Sequence, residues 1–201
     1  MSSLSIYTDG SAYYKDGTAG YGVVYVTNDE IRCKFNYLPL GTKSPQAELL
    51  AAIYALRSPL VNQYDAVTLI SDSSYLVDGM NKWAKDWLER GLRWYGITPH
   101  DDTVPKLYEL LRETVGDKPF GLENSNGELI ANEVEWRQLW LCLLWRNSVT
   151  FQWAPGHSKE ENSVHRRFND IADFLAAQGR DMAYEVFGVP RLEKQRDRRI
   201  R

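Results

Sequence analysis

The run Ala66–Ser71 reads Ala, Val, Thr, Leu, Ile, Ser, almost wholly apolar, with Asp65 before it and Asp72 directly after it. A strand of that composition has no face to show to water, so it belongs at the centre of a sheet covered on both sides. Residues 4–11 alternate as a strand and stop at Thr8, Asp9, Gly10, Ser11. Residues 21–26 and 31–37, separated by Thr27, Asn28, Asp29 and Glu30, read as an antiparallel meander. Pro45 opens a helix over 45–57 with Leu49, Ala52, Ile53 and Leu56 at helical spacing. A helix starts near Tyr75 and continues to Trp94, and another spans 132–146 with Trp136, Leu139, Trp140, Leu143 and Leu144 as its core stripe. A fifth strand covers 149–154, and a last helix covers 169–178. Three strands, helix, strand, helices, strand, helix predict an α/β sheet with an antiparallel meander on one edge.

With 201 residues, 43% of them hydrophobic, the chain can bury one full core. We expect a catalytic-size domain over residues 1–180, interrupted by a Pro/Gly/Asn-rich insertion at about 96–128, and a basic tail over 181–201. The insertion is acidic and carries one amphipathic helix at 105–115, which either packs on the domain or recruits a protein partner. Two cysteines, Cys33 and Cys142, argue against a disulfide framework or thiolate zinc site and suit the cytoplasm. No apolar run approaches membrane-spanning length, so no membrane partner is expected. The net charge of −3 hides a segregation, because Arg191, Lys194, Arg196, Arg198, Arg199 and Arg201 crowd the C-terminal end. That end is either an arm for a polyanion or a solubilising tail.

Four acids stand on otherwise apolar elements. Asp9 ends the first strand, Glu48 lies in line with Ala52 and Leu56, Asp72 ends the central strand, and Asp173 sits between Ala172 and Phe174. Each has a local explanation: an Asp-Gly turn, a helix-dipole partner or a helix cap. Together they need a common one, since like charges brought into a core require neutralisation. Bound metal supplies it, and oxygen-only ligands favour Mg²⁺, with Mn²⁺ as the expected substitute. Two such ions between carboxylates and phosphate stabilise attacking and leaving oxygens, the chemistry of a phosphodiesterase.

Thr8, Asp9, Gly10, Ser11; Gln46, Ala47, Glu48, Leu49; Ser71, Asp72, Ser73; Gly156, His157; and Asn169, Ala172, Asp173 occur in the order found in type 1 ribonuclease H, and the chain resembles that family. The resemblance implies a five-stranded mixed sheet of order 3-2-1-4-5 flanked by helices. It also implies endonucleolytic hydrolysis of the RNA strand of RNA/DNA hybrids, leaving 5′-phosphate ends. Asp9, Glu48, Asp72 and Asp173 would hold two Mg²⁺, and His157 would assist proton transfer or product departure. His165, in what reads as a long 157–169 loop, is its competitor for that role. Where the family often has Asn ahead of the Glu48 position, this chain has Lys43, Ser44 and Pro45. Ser44, Gln46 and Ser74 are the expected substitutes. Ser11, Trp83, Trp87, Asn132, Trp136 and Asn169 complete the expected substrate contacts, and Lys82 to Trp94 resembles the family's basic protrusion. A monomer is expected. The alternatives are a DNA nuclease of integrase or resolvase type, disfavoured by the order of its acids, and a non-catalytic hybrid-binding module.

Overall fold

The computed structural model describes residues 2–94, 121–144, 148–156 and 163–191. Within them β1 (Ser3–Ala12), β2 (Ala19–Val26), β3 (Ile31–Leu38), β4 (Ala66–Ser71) and β5 (Val149–Trp153) form one sheet in the order β3-β2-β1-β4-β5. β2 is antiparallel to β1 and β3, whereas β4 is parallel to β1 and β5. The central apolar strand is covered as its composition demands: Val67 and Leu69 enter the core on one face, and Ile70 enters it on the other.

Helix α1 (Ser44–Leu56) covers the first face, with Ala47, Leu49, Ala51, Ala52, Ile53, Ala55 and Leu56 buried. After β4 the chain forms α2 (Ser74–Asp78), a π-helical turn Gly79–Trp83 and α3 (Ala84–Trp94). Helix α4 (Glu133–Leu143) packs on α1, and α5 (Val164–Phe187) crosses the opposite face over β1, β2 and β3. The glycines of β2 make that crossing close. A Cβ at Gly20 would overlap the backbone of Gly179 and Arg180, and one at Gly22 would overlap the Ala172 carbonyl oxygen. Bare backbone on the strand and small residues on the helix let the two elements touch directly.

The last helix is longer at both ends than the 169–178 expected. Phe168 anchors its first turns in the second core cluster, so the polar run before it is helical. His165 therefore lies in α5 and not in a long loop, with Nδ1 3.0 Å from the Tyr7 hydroxyl. At the other end Ala183 is fully buried, and the Tyr184 hydroxyl donates to Asp16 at 2.6 Å. Residues 181–187 thus belong to the domain, and Gly188, at φ 63°, ends the helix. Most of the insertion (95–120) and the basic residues 192–201 lie outside the described residues. The far end of the insertion returns through a turn closed by a Glu123–Leu129 bridge, with Leu122 buried.

Candidate active site

Asp9 lies within β1, opposite Gly22, on a strand whose register is fixed on both sides. Glu48 reaches it from α1 because Gly10 has no side chain. A Cβ at Gly10 would overlap the Ala47 carbonyl carbon, and its N–H instead donates to Glu48 Oε2 at 3.1 Å. Asp72 comes directly after the last residue of β4, where Ser73 caps α2 by accepting the Leu76 N–H at 3.3 Å. Strand β1, helix α1 and the end of β4 thereby bring one carboxylate oxygen each from Asp9, Glu48 and Asp72 within 4.8 Å of one another. Asp173, exposed on α5, is not in this trio, yet its charge adds to the repulsion on Asp9 and Glu48.

The electrostatics arise from that convergence. Burial first, and then the charges of Asp72 and Asp173, push the Asp9 carboxyl up to about 7. Burial and the Asp9 charge lift Glu48 well above the carboxylate range, against the Gly10 N–H, which lowers it. A trio of oxygen donors of which Asp9 and Glu48 resist ionisation in this way fits a hard divalent cation, whose charge removes the cause of both shifts.

The other expected site residues separate into those that face water and those that build the scaffold. Ser44 and Ser74 are exposed, and Trp83 is 42% exposed. Trp87 is partly buried, its ring centroid 5.2 Å from that of Trp136. Trp136 is fully buried, in keeping with its place in the core stripe expected over 132–146, and has no exposed surface for the substrate contact also expected of it. Its indole N–H donates to the Tyr75 hydroxyl at 3.1 Å, and it fills the space left by Gly79, where a Cβ would overlap the ring. Asn132 donates to the same hydroxyl at 3.1 Å, so Tyr75 ties α2 to the start of α4. Asn169 is likewise buried at 7% exposure and donates to the Ala154 carbonyl at 3.4 Å, a contact within the protein and not with a substrate. Gln46 is engaged too, its amide donating to Glu135 at 2.7 Å. The Ser11 hydroxyl accepts from Arg180 at 2.9 Å. His157 lies outside the described residues.

Two residues at this site carry no signal in the sequence. Trp153, whose place in an alternating strand suggests only packing, is 53% exposed and donates its indole N–H to the Asp72 carbonyl at 3.0 Å. Arg180, beyond the expected helix, reaches Ser11 next to the site. On the expected protrusion three of the bases are paired with acids one turn away: Lys82 with Asp78 at 2.8 Å, Lys85 with Glu89 at 3.9 Å and Arg90 with Asp86 at 3.8 Å. Such exposed pairs are weak, on the order of 0–1 kcal/mol, and yield readily to a phosphate.

The chain is similar to a ribonuclease H of Orientia tsutsugamushi, 29% identical over 183 residues, covering 91% of this chain and 85% of that protein. Its fold is similar to the solution structure of the PFV RNase H domain (TM-score 0.65, 24% identity, 89% and 94% of the two chains). It is also similar to the foamy viral protease-reverse transcriptase in complex with RNA/DNA hybrid (TM-score 0.63, 19% identity, 90% of this chain and 20% of that one). The profile of the RNase H family matches residues 1–181, and with its acids, sheet order and helices in place, the chain belongs to that family and is a nuclease that hydrolyses phosphodiester bonds.

Proposed function

We propose that this nuclease cuts the RNA strand of RNA/DNA hybrids with Mg²⁺ held by Asp9, Glu48 and Asp72, Asp173 completing the set for a second ion. The observation that carries this reading is the convergence of three carboxylate oxygens within 4.8 Å in a chain of this family. Divalent cations at such a site neutralise the phosphate and lower the pKa of an attacking water. The chain's own residues supply the arrangement. The Gly10 N–H aims Glu48, β1 fixes Asp9, and the end of β4 presents Asp72 toward solvent, where a phosphodiester can approach. Water attacks phosphorus, the bond to the 3′ oxygen breaks, and 3′-hydroxyl and 5′-phosphate ends remain.

Ser44, Ser74 and exposed Trp83 form the substrate-facing set, Trp83 by stacking on sugar or base and the serines by hydrogen bonding. His157 serves as an auxiliary proton carrier. Two cysteines, Cys33 and Cys142, far apart in the sequence and without a second pair nearby, suit a reducing cytoplasm. The test is incubation with labelled RNA/DNA hybrid, duplex RNA and duplex DNA, each with Mg²⁺, Mn²⁺ or EDTA. Cleavage of the RNA strand of the hybrid alone, abolished by EDTA, is expected. Cleavage of duplex DNA in preference to hybrid would replace this reading with a DNA nuclease.

A further inference from the structure

The β4–β5 ladder runs out where the site begins. Its last pair is Ser71 with Trp153, and the Ala154 N–H then closes onto the Ser71 carbonyl at 3.1 Å. Asp72 is thus the first residue past the ladder, and of the three converging acids it is the most exposed. Glu48 has the Gly10 N–H to orient it, and Asp9 is held in β1 by its pairing with Gly22 of β2, beyond the end of the β1–β4 ladder at Tyr7. Asp72 meets the end of β5 and the residue three positions past it at two points. The Trp153 indole N–H donates to its main-chain carbonyl at 3.0 Å, and its carboxylate lies against the bare Cα of Gly156, where any Cβ would overlap Oδ2. With 53% of its surface exposed, the Trp153 ring is fixed less by burial than by that hydrogen bond.

We propose that Trp153 is a positioning residue for Asp72, with Gly156 as its complement, so that the end of β5 sets where this carboxylate stands to meet a cation. The inference rests on the cation reading of the carboxylate trio. A ligand held in advance loses less freedom when the ion arrives, and contacts behind a metal ligand typically contribute about 10- to 100-fold in metal affinity or activity.

The test titrates Mg²⁺ alone into the full-length protein, monitored by calorimetry and by the indole ¹⁵N–¹H resonance of Trp153. In the parent, that resonance should move as Mg²⁺ fills the site. Trp153→Phe keeps a ring and removes the donor. It should weaken Mg²⁺ binding about 10-fold, change the metal-free melting temperature by only a few degrees, and lower kcat on hybrid while KM holds. Gly156→Ala, which pushes on the carboxylate itself, should weaken Mg²⁺ binding at least as far. Parent-like affinity in Trp153→Phe overturns the proposal, as does an indole resonance that stays still at saturating Mg²⁺, a readout that needs no variant to fold. Raised KM with intact Mg²⁺ affinity in Trp153→Ala also overturns it and makes the ring a base-stacking surface. If the parent itself binds no Mg²⁺, the cation reading falls and this inference falls with it, whereas parent binding with an unaffected Trp153→Phe sinks the inference alone.

Discussion

At Asp9, burial and then the charges of Asp72 and Asp173 lift the carboxyl from its ordinary value of 3.8 to about 7. The folded, metal-free protein therefore binds that proton more tightly than the unfolded chain does. Its contribution to stability is fully present below about 3.8 and is lost as pH rises through about 7. Glu48, also raised, acts in the same direction. The EDTA-treated protein should melt several degrees lower at pH 8 than at pH 5, since each kcal/mol moves the midpoint by about 2–4 °C at this chain length. Asp9→Asn should flatten that dependence, and Mg²⁺ should remove it. A metal-free melting temperature that rises between pH 5 and 8 in the parent would contradict the assignment. In activity, Asp72→Asn should reduce Mg²⁺-dependent cleavage of hybrid to background in a protein that still folds. His157→Ala should cost only about 10²- to 10⁴-fold, the range of a proton carrier. Equal losses for the two variants in single-turnover cleavage would make His157 a primary catalytic group.

Among the elements, α5 and β2 depend on each other through absent side chains. Gly22→Val should force α5 away from the sheet and lower stability by about 1–3 kcal/mol, the usual range for overpacking a fitted contact. Activity should fall with it, because α5 carries Asp173. Tyr184→Phe removes the bond to Asp16 near the other end of the helix, at roughly 1.5–3 kcal/mol for a bond to a charged group and less at this half-exposed position. It should leave cleavage unchanged. Urea unfolding of both variants, set beside hybrid cleavage rates, separates these outcomes. The same helix shows what sequence alone could reveal. The succession of strands and helices and α1 were legible because apolar periodicity is a local signal, whereas the strand order came from the family resemblance. Of the four acids Asp9, Glu48 and Asp72 converge, while Asp173 is exposed and outside that trio. The true ends of α5 were not legible, since His165, Arg166 and Arg167 read as loop until Phe168 is seen to anchor them in the core. Trp136 could be read as part of the core stripe of its helix, but its bond to Tyr75 and that of Asn169 to Ala154 could not, because those partners lie elsewhere in the chain.

For the whole molecule, charge is divided between an acidic body and the basic residues that crowd the last eleven positions. Because α5 ends at Phe187, truncation after Gly188 spares the helix and removes only the residues beyond its cap. If the end of the chain grips a polyanion, the truncated protein should bind hybrid less tightly. Its slope of log affinity against log salt should also flatten by about one unit for each phosphate the tail had neutralised. An unchanged slope would identify a solubilising tail. The position of α5 in the chain has a further consequence. As the chain is made from its N-terminus, β1 to β3, α1 and β4 emerge before the helix that covers Gly20, Gly22 and Val24. Asp9, Glu48 and Asp72 can thus be in hand while the second face of the sheet is still bare. Asp173 arrives with α5, the last helix among the described residues, so it joins Asp9, Glu48 and Asp72 only late in synthesis.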